Sequence, residues 1–303
     1  MPVTSFCESH REKVLTLRDV TFALLNLSQF MWQPCQQVES LDQQSIRFVY
    51  DDAKGYGAAY QLDNTHFRLN LIVHPSHLRE GIGSRLLQRV EQEVVRLKGK
   101  YLQARALEVM PESLSFALAR GFTQIHIMRG MSLRAIDFSF ADWEGLGEDL
   151  FARGFRLTSL KEELGSDGSA IDKLAELYGR VREGWPSPDP TWEVDMATEN
   201  FRSQFTAIKC PELFSIIKIQ DEYIGFTSAK NLATGTGVHP DYRNLGIATY
   251  LKAFNIKQCI ENGEEFFESA TASPAMQRVN EKLGYRPNGL SEVRFVKELH
   301  AKL

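Results

Sequence analysis

Two patterns occur twice in this chain, in the same order and at nearly the same interval, and this constrains its fold most strongly. VHPSHLREGIGSRLL begins at Val73, and VHPDYRNLGIATYLK begins about 165 residues later at Val238. A second pair follows at a similar interval, since ALARGF ends at Phe122 and NEKLGY ends at Tyr285. Repetition at a fixed period indicates a duplicated structural unit. The 303 residues suffice for two ordinary domains, so we expect two copies of one fold.

The joint between the copies is expected near Phe151. Residues 136–154, IDFSFADWEGLGEDLFARG, are rich in glycines and acids and interrupt the strand pattern. They predict a linker between an N-terminal domain, residues 1–135, and a C-terminal domain, residues 155–303. The proline-rich stretch 183–195 predicts a loop within the second domain. Its composition suits both a surface connection and a substrate lid, and the sequence leaves the two open.

Each copy predicts the same order of elements, an α/β fold in which helices flank a mixed, mostly antiparallel sheet. In the first copy we expect a strand at VLTLRDV, a mostly helical stretch over 19–37, and then the strands IRFVYD, GYGAAYQL and FRLNLIV. The helix after Gly83 places apolar residues on one face, namely Leu86, Leu87, Val90, Val94 and Leu97. In the second copy we expect helices over 169–183 and around 196–209, and strands at LFSIIKI, EYIGFTSAK, EFFESA and EVRFVKEL.

The composition argues against several classes of function. The net charge is −4, from 35 Lys and Arg against 39 Asp and Glu, whereas nucleic-acid binding needs a basic surface. The four cysteines lie far apart, so we expect neither a disulfide framework nor a metal site. The first twenty residues have no continuous apolar core, and no apolar run is long enough to span a bilayer. We therefore expect no membrane partner and, by default, a cytoplasmic protein.

The repeated pattern strand–VHPxxxxxGI(G/A)–helix predicts an anion site at each helix start. A strand ends at Val238, Pro240 cannot continue its ladder, and Gly246 permits a tight turn. Such a turn aims several N–H groups at one point, at the positive end of the helix dipole, and this suits a pyrophosphate. Arg243 could add a charge-assisted contact. The dinucleotide and P-loop signatures do not occur here. A glycine-rich helix start that binds nothing is the alternative, and the duplication disfavours it.

These residues resemble the pyrophosphate loop of the GNAT acyltransferases, [Q/R]-x-x-G-x-[G/A]. The second copy fits completely from Arg243 to Ala248, whereas the first has Leu78 where the family has Gln or Arg. The resemblance covers nearly the whole chain as two tandem GNAT-like domains, an arrangement similar to that of mycothiol synthase. It implies acetyl-CoA or another acyl-CoA as co-substrate. We expect no metal, because His74 and His77 have no other ligands near them in the sequence. The implied binding residues are Val238, Arg243, Asn244, Gly246, Ile247, Ala248 and Thr249, and in the first copy Val73, Arg79, Gly81, Ile82, Gly83 and Ser84.

The resemblance also points to catalytic candidates. The family often has a tyrosine acid four residues before the glycine of the second block, but this chain has Asn280 and Ala117 there. Because Asn280 can still form hydrogen bonds and Ala117 cannot, we expect the chemistry mainly in the C-terminal domain. Glu268, on the strand beside the implied thioester, is a candidate base, because an attacking amine must be neutral. A solvent-facing acid at Glu268 fits the pattern equally well.

The implied activity is N-acetyl transfer from acetyl-CoA to an amine of a small molecule or peptide. The missing tyrosines keep a second class open, a non-catalytic acyl-CoA-binding sensor or scaffold in which one or both domains are degenerate. In a third interpretation, the first copy only shapes the acceptor site. The pattern identifies no particular acceptor, and it is compatible with a monomer and with a homodimer.

Overall fold

The computed structural model describes residues 3–25, 45–183, 191, 198–228 and 235–300. The chain divides into two compact units, and neither is continuous in sequence. The N-terminal unit comprises Met1–Ile127, Pro188–Trp192 and Glu292–Leu303, and the C-terminal unit comprises Met128–Ser187 and Glu193–Ser291. The domains predicted from composition, in contrast, follow one another along the chain. The lid hypothesis for 183–195 and the later part of the helical prediction over 19–37 lie largely outside the described residues.

Strands and helices alternate as an α/β pattern requires. The first part of the chain contains β1 (Val3–Ser5), α1 (Arg11–Leu25), β2 (Ser45–Tyr50), β3 (Gly55–Gln61), β4 (His66–Val73), α2 (Ile82–Arg96), β5 (Tyr101–Leu107), α3 (Pro111–Ala119) and β6 (Thr123–Arg134). The remainder contains α4 (Glu144–Ala152), β7 (Phe155–Ser159), α5 (Leu160–Ser166), α6 (Ala170–Arg182), α7 (Thr198–Thr206), β8 (Ser215–Ile219), β9 (Glu222–Thr227), β10 (Thr236–Val238), α8 (Ile247–Glu261), β11 (Phe266–Thr271), α9 (Pro274–Lys282), β12 (Arg286–Pro287) and β13 (Glu292–Glu298).

The sheet of the N-terminal unit opens between its two parallel strands. Its strand order is β1-β2-β3-β4-β5-β13-β6. Strands β1 to β4 pair antiparallel, whereas β4 and β5 pair parallel. That parallel ladder joins only His66–Arg68 to Tyr101–Gln103, at the start of both strands. Beyond it the two strands continue with no ladder between them. The opening therefore lies toward the end of β4 that leads into α2.

Helices α2 and α1 pack against opposite faces of this sheet. The predicted apolar face of α2 is confirmed for Leu86, Val90 and Val94, which are fully buried in one core with Phe67. It is wrong for Leu97, which follows the end of the helix and is 42% exposed. The opposite face holds a second core, where α1 packs against Tyr56 and Ile72. Successive residues of a strand point to opposite faces, which separates Phe67 from Ile72 on β4.

The prediction of a strand at VLTLRDV is wrong, because this segment lies inside α1. Val14 and Leu17 are both buried, at 0% and 2% exposure, and they pack together against the sheet. Their spacing of three residues fits one face of a helix and would place them on opposite faces of a strand. The β-branched residues of the segment suggested a strand, but tertiary packing decides the outcome.

The C-terminal unit repeats the same opening. Strands β10-β9-β8-β7 form an antiparallel sheet with α6 and α7 on one face and α8 on the other. Strand β11 pairs antiparallel with Arg129–Arg134 of β6, and β12 pairs with the same part of β6. Within the described residues no ladder joins β10 to β11. Both strands pack against α8, β10 through Val238 and β11 through Phe267, so they correspond to β4 and β5 beside α2.

The predicted linker, residues 136–154, contains a helix that belongs to the core of the C-terminal unit. Leu150 of α4 is fully buried with residues of β7 and α8. Gly147 of α4 lies directly against the ring of Tyr250, so the two helices approach closely. Glu148 and Asp149 are exposed, which is where a surface helix places its acids. Glycines and acids in this stretch therefore reflect close helix packing and a solvated face.

Each unit contains a strand, or part of one, from the other half of the sequence, and we call this arrangement the exchange of strands. Strand β13, at the end of the chain, pairs with β5 over its whole length, from Glu292 opposite Leu107 to Glu298 opposite Tyr101. Strand β6 begins in the N-terminal unit and ends in the C-terminal unit, where it pairs with β11. The alternation of Val293 and Phe295 with polar residues predicts that EVRFVKEL is a strand. It does not identify the partner of that strand, because alternation sets only the buried face.

Candidate functional site

The two repeated loops follow the same backbone path. In the N-terminal unit β4 ends at Val73, a short 3-10 turn follows, and Gly81 takes φ 78° before α2 begins at Ile82. In the C-terminal unit β10 ends at Val238, a 3-10 turn follows, and Gly246 takes φ 84° before α8. The residues two positions before the glycines, Arg79 and Asn244, also have positive φ, of 65° and 64°. The strand–turn–helix geometry predicted from the pattern is present in both copies.

Both loops present backbone donors at the start of a helix. The first hydrogen bond within α2 runs from the Arg85 amide to the Gly81 carbonyl, and in α8 from the Tyr250 amide to the Gly246 carbonyl. The three preceding amides of each helix therefore lie outside the helical ladder. They belong to Ile82, Gly83 and Ser84 in α2, and to Ile247, Ala248 and Thr249 in α8. Together with the helix dipole, such amides form a site suited to a phosphate or pyrophosphate.

The histidine of each loop has a structural partner. The His74 Nδ1 accepts hydrogen bonds from the amide and the hydroxyl of Ser76, at 3.2 and 2.7 Å. The His239 Nδ1 accepts from the Asp241 amide at 3.3 Å, and its Nε2 lies 3.2 Å from a guanidinium nitrogen of Arg180. Each imidazole thus caps the short turn between strand and loop and helps to fix the backbone path.

Arg243 holds its loop in place through backbone carbonyls. Its Nε donates to the Val238 carbonyl at 3.3 Å, and its Nη2 donates to the Val181 carbonyl at 3.4 Å. These bonds tie the loop to the end of β10 and to α6. Leu78, at the equivalent place in the first copy, is 49% exposed and cannot form such bonds. The complete motif of the second copy therefore corresponds to a more strongly braced loop.

The surroundings of the two glycines differ. A Cβ atom on Gly246 would lie 2.8 Å from the Leu146 Cδ1 of α4, whereas a Cβ on Gly81 would have no atom within 4 Å. A glycine at position 246 thus permits both the positive φ and the close packing of α4. The N-terminal loop has no such neighbour at Gly81. Leu146 was missed by sequence reasoning because it lies in the predicted linker.

An arginine that the sequence analysis missed lies beside the N-terminal loop. The Arg120 Nη2 donates to the Ser84 hydroxyl at 2.6 Å, and its guanidinium lies 5.3 Å from the centre of the Phe116 ring. Its position, directly before the glycine of ARGF, is occupied in the second copy by Leu283, which is 3% exposed. The N-terminal loop therefore has a cation at the first turn of its helix, although its motif is incomplete.

The two catalytic candidates of the C-terminal unit lie on opposite faces of β11. Asn280 on α9 is fully buried, and its Nδ2 donates to the Ser269 hydroxyl of β11 at 3.1 Å. The Asn280 Oδ1 is buried and has no hydrogen-bond partner. Glu268 is adjacent to Ser269 in the strand, so its side chain points to the other face and is half-buried. The structure thus brings Asn280 to Ser269 and separates both from Glu268.

Lys252, one and a half turns into α8, is a further ionisable group that the sequence did not single out. Its Nζ lies 5.2 Å from the centre of the buried Tyr285 ring. Burial lowers the pKa of Lys252 to about 8. Burial also raises the pKa of the Tyr285 hydroxyl. Tyr285 packs in the core with Cys259 and Phe267, in agreement with its expected structural role.

This fold and these loops define the class of the protein. In each unit the strand ladder is interrupted beside a helix, and that helix begins with a glycine turn whose amides can hold a pyrophosphate. This is the architecture of acyl-CoA-dependent acyltransferases. The model of the acetyltransferase (GNAT) family matches residues 16–122 and 174–285. The chain belongs to the GNAT family, which uses acetyl-CoA as acyl donor, and it carries two copies of the family's domain.

Solved structures share this fold over the whole chain. A GCN5-related N-acetyltransferase from Sphaerobacter thermophilus has a TM-score of 0.69 at 15% identity, covering 100% of this chain and 96% of the other. A tandem GNAT protein from the clavulanic acid biosynthesis pathway has a TM-score of 0.68 at 18% identity, with coverages of 100% and 99%. No curated protein sequence matches the chain. In the part of the chain that the structure describes, no helix is long and apolar enough to cross a membrane.

Proposed function

We propose that this protein transfers an acetyl group from acetyl-CoA to an amine of a small molecule or peptide, mainly in its C-terminal unit. The observation that carries the proposal is the start of α8. There Gly246 at φ 84° precedes the amides of Ile247, Ala248 and Thr249, which lie outside the helical ladder. These donors fit the pyrophosphate of acyl-CoA, and Arg243 braces the loop that aims them.

The pantetheine arm would lie in the gap between β10 and β11, next to Val238. Strand amides that the gap leaves free of a ladder can polarise a thioester carbonyl there, as an oxyanion hole does. A second acyl-CoA site in the N-terminal unit is supported by Gly81, Gly83 and the Arg120–Ser84 pair. In this proposal both units can bind acyl-CoA, whereas acyl transfer occurs mainly in the C-terminal unit.

The proton-handling groups are arranged on two sides of β11. Asn280 donates to Ser269, so the Ser269 hydroxyl hydrogen remains available to another acceptor. In this proposal it stabilises the departing thiolate, as the family's tyrosine otherwise does. Glu268 points to the opposite face, where it can accept a proton from the attacking amine. Deprotonation of the amine and stabilisation of the thiolate concern different atoms, and this arrangement assigns them to different side chains.

The test compares two substitutions of equal size, of which only one introduces a charge among the helix-start amides. Ala248→Asp adds a carboxylate at the first turn of α8, and Ala248→Asn is its neutral control. At about 5 Å and an effective dielectric constant of 20 to 40, the repulsion from one phosphate charge is about 1.7–3.3 kcal/mol. Calorimetry with acetyl-CoA should therefore show at least tenfold weaker binding for Ala248→Asp than for Ala248→Asn. Equal affinities would remove this loop from the acyl-CoA site.

The matched pair Gly83→Asp and Gly83→Asn examines the N-terminal loop. A Cβ on Gly83 would lie 3.4 Å from Phe116, an ordinary contact, so both variants should fold. CoA release with a panel of primary amines then locates the chemistry. Loss of turnover in Ala248→Asp but not in Gly83→Asp supports the C-terminal assignment, and the opposite pattern assigns the reaction to the N-terminal unit.

A non-catalytic acyl-CoA-binding protein is the second candidate. It is favoured by the absence of an acid at both family positions, since Ala117 is apolar and Asn280 cannot protonate a thiolate. Tight binding of acetyl-CoA without CoA release for any amine of the panel would establish this function. Ser269→Ala provides a further distinction. If the chain is an enzyme, this substitution should slow turnover and leave the affinity for acetyl-CoA unchanged.

A further inference from the structure

One face of the N-terminal sheet carries an unusual concentration of positive charge. Arg68 on β4, Arg105 on β5 and Arg294 on β13 share the face opposite α2, because they alternate with Phe67, Ala104 and Phe295 of the α2-side core. We call these three side chains, together with Glu292 on β13, the arginine cluster. All four residues belong to the N-terminal unit.

The register places like charges against each other. Arg105 and Arg294 are direct partners in the antiparallel ladder of β5 and β13. Arg68 on β4 is the register partner of Gln103 on β5. Gln103 is two residues before Arg105 and on the same face, so Arg68 is one position along that face from Arg105. Like charges directly opposite each other destabilise a sheet. A local conflict of this kind within an otherwise consistent fold is typical of a functional site.

The carboxylate of Glu292 contacts two of the three guanidiniums. The Arg294 Nε donates to the Glu292 Oε1 at 2.7 Å, and the Arg105 Nη1 lies 3.5 Å from the Glu292 Oε2. Arg68 forms no hydrogen bond or ion pair with any described residue, and its Nε is buried without a partner. Burial and repulsion from Arg105 and Arg294 lower the pKa of Arg68 to about 10. Arg68 is therefore still charged at neutral pH.

Among the described residues, the further titratable group that interacts with the cluster is a base. His126 on β6 is the titratable group next to Arg294, and burial followed by repulsion from Arg294 lowers its pKa. The side chains of Arg105 and Arg294 are 22% and 24% exposed, so a small molecule can reach the cluster. Guanidiniums recognise carboxylates and phosphates through paired hydrogen bonds.

We propose that the arginine cluster is a binding site for the oxyanion group of a small molecule, a carboxylate or a phosphate. Arg68 and Arg105 supply the donors, and Glu292 orients Arg105 and Arg294. The site lies on the opposite sheet face from α2, whose first turn forms the N-terminal loop. It does not require acyl transfer, so its failure and the failure of the proposed function are distinguishable.

The experiment is calorimetric titration of the full chain with succinate and, separately, with inorganic phosphate, at ionic strength held constant with sodium chloride. Saturable binding of either probe is expected, and the stronger probe identifies the class of oxyanion. Arg68→Met should weaken this binding at least tenfold. Arg96→Met is the control, because Arg96 is 69% exposed and, among the described residues, forms its ion pair with the nearby Glu93.

A substitution that is expected to strengthen binding keeps the proposal falsifiable if Arg68→Met lowers stability. Glu292→Gln removes the only carboxylate of the cluster and should strengthen binding several-fold. Arg68→Lys keeps the charge but loses the paired donors, so it should bind more weakly than the wild type. The proposal is overturned if neither probe shows saturable binding to the wild type, if Arg68→Met binds like the wild type, or if Glu292→Gln binds more weakly.

Discussion

Replacement of Phe295 by alanine should destabilise the N-terminal unit, although this residue lies near the end of the chain. Phe295 on β13 is 1% exposed, stands opposite Ala104 of β5, and belongs to the core that α2 covers. Truncation of a buried phenylalanine typically costs about 3–5 kcal/mol, a large part of the 5–15 kcal/mol that stabilises a domain. Because each 1.4 kcal/mol is about a factor of ten, amide exchange through unfolding of this sheet should accelerate roughly a hundred- to several thousand-fold.

Hydrogen exchange followed by mass spectrometry measures where this protection is lost. In Phe295→Ala the loss should appear in β4 and β5, while β8 and β9 keep their protection. Phe267→Ala is the matched control, because Phe267 of β11 is 5% exposed in the C-terminal core and should affect that unit instead. If Phe295→Ala exposes β8 and β9 but leaves β5 protected, the exchange of strands described above is wrong.

Two further predictions concern buried charges. Burial lowers the pKa of Lys252 from 10.5 to about 8, so the folded state binds fewer protons there than the unfolded state. The free energy of unfolding should therefore rise by up to about 3 kcal/mol between pH 8 and 10.5. Urea titrations should show this rise abolished in Lys252→Met and retained in Lys257→Met; a similar rise in both variants would contradict the assignment. Glu163, 5% exposed, accepts hydrogen bonds from Lys218 at 2.6 Å and Tyr223 at 2.7 Å; burial alone would raise its pKa, but these bonds lower it on balance. The stabilisation by the ionised Glu163 is present above the pKa of the unfolded state and is lost as pH falls through the pKa of the folded state. Glu163→Gln should therefore lower the free energy of unfolding by about 1–3 kcal/mol at pH 7 and by much less at low pH. Thermal melts of the variant and the wild type should converge at low pH.

The fold could be predicted where one segment determines its own structure. The repeat identified two copies of one domain, and the apolar face of α2 followed from the spacing of Leu86, Val90 and Val94. The segment around Val14 and Leu17 was misassigned because its β-branched residues favour a strand, whereas the core of the unit selects helical spacing. The pairing of β13 with β5 could not be predicted, because residues nearly 190 positions apart meet only through the topology of the whole sheet.

In the candidate site, too, local features could be predicted and contacts with distant elements could not. The glycine turns and the helix-start amides follow from local sequence, so the loops were identified correctly as strand–turn–helix units. The surroundings of the loops depend on distant elements, namely Leu146 beside Gly246 and Arg120 beside Ser84. The arginine cluster was invisible for the same reason, since Arg105 and Arg294 become neighbours only in the exchanged sheet.

The exchange of strands explains why a copy with an incomplete loop would be retained. In a simple tandem protein, either domain could be lost without damage to the other. Here the N-terminal sheet needs β13, which follows the C-terminal unit in sequence, and β11 needs the second half of β6, which precedes it. Loss of either half would leave an unpaired strand edge and an exposed core in the half that remains. The same strand also supplies Glu292 and Arg294 to the arginine cluster, so the N-terminal unit owes both its last strand and its proposed oxyanion site to the end of the chain. Divergence of the two copies could therefore change their loops and side chains while the duplication itself stayed fixed.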